Sequence, residues 1–589
     1  MKNNLTPKAK ALSRREFIVN VSSVSAVLAA GGVLSGCGGA SQVPVDFNYG
    51  VASGDPLKDR IILWTHAKYQ NSAAPVALTY QVANDSAFMS VVTSGQAVSS
   101  ADTGYTAKVD ATGLAEGKSY FYRFFSGSSI SAVGQTRTLP ASGATEVTFS
   151  VFSCADYPLG YFNAYAEAAK RGSDFAIHLG DYIYEYGTGN APTQEVILDL
   201  NRFADHTKEL LTLDDYRKRH ALYKSDPDSK ILHAKIPLIA GWDDHEVSND
   251  NYKDGAQAHD AATDGDYVAR RTAALQAYHE WMPIRTGADK MRTYRSFDFG
   301  SLVSLHMLET RNIARDKQIA ITELAGLAGD AKKASAYAEY IRADRQMLGT
   351  TQLSWLQQQM GASQATWQVL GQQVLMARME SPASVLTKLN GDSRDPNAQA
   401  DGLAAITAYL TAKGKRAAGA TLSDGETDLL DLSKNPKLGY NLDAWDGYIV
   451  ARETILGTAL QLNKKLISLA GDTHNAWHSD LTMMGLANSA LANVKVGEEF
   501  ATPGVSSGGF EEYLPVFEPA EVKYLFENIV DDLRWMDSYR RGYLKMTFTA
   551  AEAKGEWIFV DQVLSRNYTS SIGHTAPYRT VKKAVTPDY

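Results

Sequence analysis

Two cysteines in 589 residues allow at most one disulfide, so the chain does not read as a disulfide-stapled framework. It holds only 18 prolines, and its one biased tract is the Ala/Lys-rich stretch near Ala331–Ala338, which reads as a solvated helix. That composition argues against extended disorder. No internal repeat is visible. No strongly apolar run reaches the roughly 20 residues that a membrane-spanning helix needs. The nearest, Phe17–Leu34, is broken by Asn20 and by several Ser and Gly. Positive charge is not in excess either. The formal net charge of -8 gives no support to general nucleic-acid binding. What is present is ordinary globular material, 44% hydrophobic and 21% charged, in a chain long enough to bury a large core.

The first residues carry an address. Lys2, Lys8, Lys10, Arg14 and Arg15 precede the weakly apolar run, which ends in Leu34-Ser35-Gly36-Cys37. A basic start, a short apolar middle and a small-residue end form an export signal. Ser13-Arg14-Arg15-Glu16-Phe17 resembles the twin-arginine motif, read by a route that carries folded proteins. Leu34–Cys37 resembles a lipobox, which makes residues 1–37 a signal and Cys37 the lipid anchor. The expected location is the periplasm or cell surface, on a membrane. Cys154 is then left without a partner. It is an inert core thiol, a nucleophile or a metal ligand.

After a tether at 38–46, residues 47–140 alternate short β-rich runs with turns. Examples are Arg60–His66, Val76–Val82 and Ser119–Phe125. About seven such runs predict a small all-β, immunoglobulin-like sandwich without a catalytic constellation. From 145 to 580 strands and helices alternate, which predicts an α/β domain with mixed sheets. Predicted strands are Val147–Ser153, Asp174–Leu179, Leu238–Ala240, Leu302–Leu308, Thr366–Leu370 and Leu466–Ala470. Two polar, weakly periodic stretches, 187–230 and 381–447, read as insertions able to shape access to a site.

Four short motifs follow predicted strands, at the carboxyl ends where α/β sheets place their sites. They are Ser153-Cys154-Ala155-Asp156, Gly180-Asp181-Tyr182-Ile183-Tyr184-Glu185, Trp242-Asp243-Asp244-His245-Glu246, and Gly471-Asp472-Thr473-His474. One acidic turn after a strand means little; four in one domain do not arise by chance. Oxygen, imidazole and thiolate donors together suit a two-metal hydrolytic centre, which polarises a phosphoryl oxygen and generates hydroxide at neutral pH. Carboxylate, phenolate and thiolate suit a hard trivalent ion such as iron, whereas oxygens with imidazole suit a divalent ion.

The spacing of Gly-Asp-x-x-Tyr, Asp-His-Glu and Gly-Asp-x-His is similar to the calcineurin-like metallophosphoesterase pattern. More closely, Phe152–Asp156, Gly160–Tyr165, His178–Glu185, Trp242–Glu246 and Gly471–His474 resemble the PhoD-like alkaline phosphatase/phosphodiesterase family. Gly50–Pro56, Leu63–Thr65 and Arg541–Tyr543 extend the resemblance along the mature chain. It implies a layered α/β metallophosphoesterase sandwich of mixed sheets flanked by helices, preceded by the small all-β domain. It also implies iron (Fe3+) and calcium (Ca2+), or another divalent metal, as cofactors. Asp181 would bridge the metals, and Tyr184 and Cys154 would bind the iron-type ion. Asp244, Asp472 and His474 would complete the two shells. His245 would serve the leaving group as acid or stabiliser, and Arg311 would clamp phosphate through its planar fork. Asn251, with Asn249, would reach the calcium, and Asp243 and Asp55 are further candidates. The family motif ahead of Arg311 usually begins with Asp where this chain has Glu309, which weakens a role for Glu309 more than one for Arg311.

The bland readings apply to the neighbours. His178 reads as a satisfied core histidine, Trp242 and Trp477 as packing walls, and Tyr182 and Glu185 as supporting residues. The expected activity is hydrolysis of phosphomonoesters or phosphodiesters, by a monomer, without a covalent intermediate. No serine in a Gly-x-Ser-x-Gly elbow is read beside these motifs as a nucleophile. Three alternatives stand beside it. One is a phospholipase D-like activity on membrane-proximal diesters, the second a cysteine hydrolase pairing Cys154 with His245 or His474. The third is a non-catalytic surface lipoprotein.

Overall fold

The computed structural model describes residues 43–188, 200–327, 329–389, 396–514 and 517–579. The signal and Cys37 lie outside them. Strands that read as continuous apolar runs are buried on both faces, as strands of covered sheets must be. Glu146–Phe152, Phe175–His178 and Leu238–Ala240 are paired in parallel in one sheet. Val303–Met307, Trp367–Gly371, Leu466–Ala470 and Lys495–Ala501 are paired in parallel in a second.

The first sheet has nine strands and the second seven. Their facing sides interlock in one core, with Phe149, Val151, Ile177 and Ile239 against Leu305, Val369, Ile467 and Phe500. Each such side chain contributes about 1.5–3 kcal/mol by leaving water. Helices Asn163–Arg171, Leu213–Ser225 and Tyr267–Trp281 cover the outer face of the nine-stranded sheet. Helices Gly349–Ala362, Ile449–Gln461 and Pro519–Ile529 cover the seven-stranded one. The result is the layered sandwich of mixed sheets flanked by helices.

The stretch ahead of Glu146 is all-β. Val76–Ala83, Val91–Ser99, Ser119–Ser126, Ser129–Ile130 and Gly134–Arg137 form a five-stranded antiparallel sheet. Its other layer is not a separate sheet. Val51–Gly54, Arg60–His66 and Thr106–Thr112 extend the nine-stranded sheet, joined where Gly54 meets Leu238. Local β-pattern predicts a strand but not the sheet it joins. The chain from Pro44 onward is one compact unit. Among the described residues, no helix is long and apolar enough to cross a membrane.

Both sheets end their parallel strands on the same side. A bridge between Ser153 and Gly504 ties the two there, just beyond Phe152 and Ala501. The loops that follow these strands carry the four motifs.

Candidate metal centre

The turns after the strands are strained toward one point. Among the non-glycine residues with left-handed backbone are Cys154 (φ 58°), Asp181 (54°), Asp472 (65°) and His474 (62°). Such conformations persist only where the surroundings impose them, and they cluster at functional sites. Two glycines let the sheets close around them. A Cβ on Gly180, itself at φ 124°, would lie 2.6 Å from the backbone nitrogen of Asp243. A Cβ on Gly471 would lie 2.5 Å from Ser153 Cβ and Oγ.

The ligand-type atoms converge in three overlapping groups: Cys154, Asp181 and His474; Asp181, Asp244 and His245; and Asp243, Asp244 and Asp472. Within each group they lie within 4.8 Å of one another. Asp181 and Asp244 are the shared members. The Cys154 thiol lies 3.4 Å from Asp181 Oδ2, and the Tyr184 hydroxyl donates to the same oxygen at 3.3 Å. His474 directs Nδ1 to the carbonyl of Gly508 at 2.5 Å, which leaves Nε2 on the cluster side, 3.2 Å from the Tyr184 hydroxyl. A ring nitrogen fixed by a carbonyl is how proteins orient a ligating histidine.

The set fits cations. Oδ1 of Asp181 is buried without a hydrogen-bond partner, a costly state for a carboxylate oxygen unless a cation meets it. Oδ1 of Asp244 has no hydrogen bond and only the Arg311 guanidinium at 3.6 Å. Burial, then the charges of Asp244, Asp243 and Glu246, push Asp181 well above the carboxylate range against the pull of His245. Asp472 is raised likewise by burial, then by Asp243 and Asp443. Burial raises the Cys154 thiol and the Tyr184 phenol, with Asp181 adding to both. Burial holds His474 down at about 4, in the neutral form that coordinates metals.

The supporting residues explain the motifs' remaining letters. Glu246 accepts from the backbone nitrogens of Asp181 (3.0 Å), Tyr182 (2.6 Å) and Asp243 (2.7 Å), clamping two ligand turns together. Glu185 accepts from His245 Nδ1 at 2.7 Å. Burial disfavours the His245 imidazolium, but Tyr186, Glu185, Asp244 and Asp181 outweigh it and raise its pKa well above the usual value. Glu309 shapes its own loop, accepting from Trp242 Nε1 at 2.8 Å and from the nitrogen of Asn312 at 2.6 Å.

Other predicted residues stand elsewhere. Arg311 has no exposed side-chain surface. Its Nε lies 2.5 Å from Asp243, its Nη2 lies 2.8 Å from Asp443, 3.4 Å from Asp472 and 3.6 Å from Asp244. It therefore sits behind the carboxylates rather than on the cavity wall. Asn251 is buried and donates to Tyr267 and Asn312, with its Oδ1 unpartnered. Asn249 lines the cavity, whereas Asp55 pairs with Arg295 at 2.6 Å. His178 meets the Tyr165 hydroxyl at 2.8 Å within the core, and Trp242 and Trp477 are fully buried.

Two features went unread in the sequence. Asp443 binds both Arg311 and Arg315, from inside a stretch without any motif. Gly504-Val505-Ser506-Ser507-Gly508 does have the elbow pattern, beside the site, which corrects the reading that none was there. Ser506 Oγ donates to the carbonyl of Asp156 at 2.7 Å, and Ser507 Oγ donates to the Cys154 carbonyl and the Tyr184 hydroxyl. Neither meets a histidine, so the pattern makes no Ser–His pair.

A layered α/β sandwich with a buried Asp/His/Cys/Tyr cluster at its strand ends defines a metal-dependent phosphoesterase. The PhoD-like phosphatase model matches residues 149–557, and the model of that family's N-terminal domain matches residues 34–140. Alkaline phosphatase D of Bacillus subtilis (strain 168) is 32% identical over 530 residues, covering 87% of this chain and 77% of the relative. A solved structure of PhoD superposes with a TM-score of 0.70 at 28% identity, covering 94% of this chain and 95% of that one. The chain belongs to the PhoD-like phosphatase family and is a hydrolase of phosphoric ester bonds.

Proposed function

We propose that the chain hydrolyses phosphomonoesters or phosphodiesters at a two-metal centre, with iron and calcium as the ions. The observation that carries this is the overlap of three ligand groups through Asp181 and Asp244. Cys154, Asp181, Tyr184 and His474 would hold the iron-type ion, and Asp244 and Asp472 the divalent one with Asp181 between. When bound, such ions supply Lewis acidity toward a phosphoryl oxygen and lower the pKa of a water. The chain's own residues do the rest. His245, held through Nδ1 by Glu185, delivers a proton or positive charge to the leaving oxygen. Arg311 keeps the carboxylates of Asp243, Asp244, Asp443 and Asp472 gathered. Burial of Asp181, Asp244 and His245 strengthens the charge interactions among them.

Export by the twin-arginine route and attachment through Cys37 belong to the same proposal, supported by Ser13–Phe17 and Leu34–Cys37. The test is turnover of a chromogenic phosphodiester and its monoester by protein folded with iron and calcium, with and without chelator. Metal-dependent turnover supports the reading, and the faster ester names the preference. A folded, metal-loaded sample that cleaves neither overturns it. Alkylation-sensitive turnover that survives chelation would point to Cys154 as nucleophile instead.

A further inference from the structure

The cavity that holds the cluster does not end at it. One continuous space of about 770 Å3 runs from Asp181, Asp244, His245, Asp472 and His474 to a second, apolar arm. Three helices wall that arm: Ala383–Leu389, Pro396–Ala417 and Pro519–Ile529. They contribute Val385, Leu389, Ile406, Val522, Leu525 and Ile529 among others, and every residue they supply to the lining is apolar. Val385, Ile406 and Ile529 belong to one buried cluster, so the helices that wall the arm pack on one another. None of the charged side chains of the lining comes from these three helices: Glu512 belongs to the one-turn helix Phe510–Tyr513 and the others to loops.

A site for a small hydrophilic ester has no use for this arm. Sugar or glycerol hydroxyls placed there would lose their water and find no side-chain partner on the three helices. A peptide would leave its backbone amides unpaired in the same way. Hydrocarbon has neither cost, and each methylene that leaves water gains affinity. Direct continuity with the cluster sets which hydrocarbon fits: one covalently attached to the phosphate.

We propose that the apolar arm binds the hydrocarbon chain of an amphiphilic phosphate ester while its phosphate rests at the metal centre. This inference depends on the proposed function only for what happens at the phosphate. The stretch 381–447, which supplies Val385, Leu389 and Ile406, is thereby a specificity element.

The test is calorimetric titration of metal-loaded protein with n-alkylphosphonates of two to ten carbons, below their micelle-forming concentrations. Turnover of 4-nitrophenyl ethyl phosphate is measured on the same samples. The expected Kd falls by about 3–4-fold per methylene until the arm is full, with a negative heat-capacity change. Ile406→Trp and Leu525→Trp, which fill the arm, are expected to flatten that series while leaving kcat/KM for the ethyl ester within about 2-fold. Two different side chains guard against one misfolded variant. A flat series in an enzyme that cleaves the ethyl ester overturns the arm and leaves the phosphoesterase standing. It is also the result expected if a segment of this chain occupies the arm. A steep series in a protein that cleaves no ester keeps the arm and overturns the proposed function.

Discussion

The Tyr184 hydroxyl lies 3.2 Å from His474 Nε2, across 290 residues of chain. One belongs to the loop after Phe175–His178 in the nine-stranded sheet, the other to the loop after Leu466–Ala470 in the seven-stranded sheet. The candidate centre is therefore assembled only when the two sheets pack. Tyr184→Phe keeps the ring whose centroid lies 4.2 Å from that of His245 and removes only the oxygen. Iron content and turnover are expected to fall together, turnover by about 10–100-fold, with the thermal stability of the metal-stripped protein nearly unchanged. Metal analysis beside kinetics decides it. Full iron with full activity would remove Tyr184 from the ligand set.

Glu185 orients His245 rather than touching the cluster, through a 2.7 Å bond to Nδ1. Glu185→Gln preserves the shape, but it no longer stabilises the imidazolium. Turnover is expected to drop about 10–100-fold with KM little changed. The loss should be larger for alkoxide than for nitrophenoxide leaving groups, because only the poorer one needs the proton. An equal loss for both esters would assign Glu185 a purely structural part.

The two readings of Arg311 separate cleanly. If it frames the carboxylates from behind, Arg311→Met leaves Asp243, Asp244, Asp443 and Asp472 facing one another without their shared cation. Breaking such a buried set costs on the order of 3–5 kcal/mol. Metal-stripped protein should lose that stability in urea titrations, and added metal should restore much of it. If instead Arg311 clamps phosphate, stability would hold while KM and the inhibition constant of inorganic phosphate rise.

The strands were legible because burial on both faces writes a short unbroken apolar run, as in Leu466–Ala470. The motifs were legible because four turns at the ends of such runs each carry carboxylate, imidazole or thiol donors at close spacing. Arg311 was legible as a guanidinium, but its local sequence does not show the four carboxylates that surround it. Asp443 was invisible. It lies 132 residues from Arg311 in a polar stretch, and only tertiary closure brings them together. The C-terminal strands Gly542–Thr549 and Ala553–Val560 were also missed. Their alternation of Lys545 and Thr547 with Met546 and Phe548 is the weaker period-two signal of strands with one covered face.

Acid should unfold this protein through its buried histidines, and His220 is the sharpest case. It is fully buried in helix Leu213–Ser225, and neither ring nitrogen has a hydrogen-bond partner. Burial, aided by Lys224 and Arg219, lowers its pKa to about 3. Above about pH 6.5, where an unfolded histidine is neutral too, it makes stability no more pH-dependent. Below that, the unfolded chain takes up a proton that the folded chain refuses until about pH 3. Stability then falls by about 1.4 kcal/mol per pH unit from this residue alone, or about 2 kcal/mol by pH 5. His220→Phe removes the titration and keeps an aromatic ring in the same space. Urea unfolding at pH 7.5 and pH 5 should show the variant losing about 2 kcal/mol less than the parent between the two. Acid release of metal affects both proteins, so the difference between them isolates the histidine. Equal losses in both would mean that His220 is already protonated in the folded protein at pH 5, with a partner that its surroundings do not display.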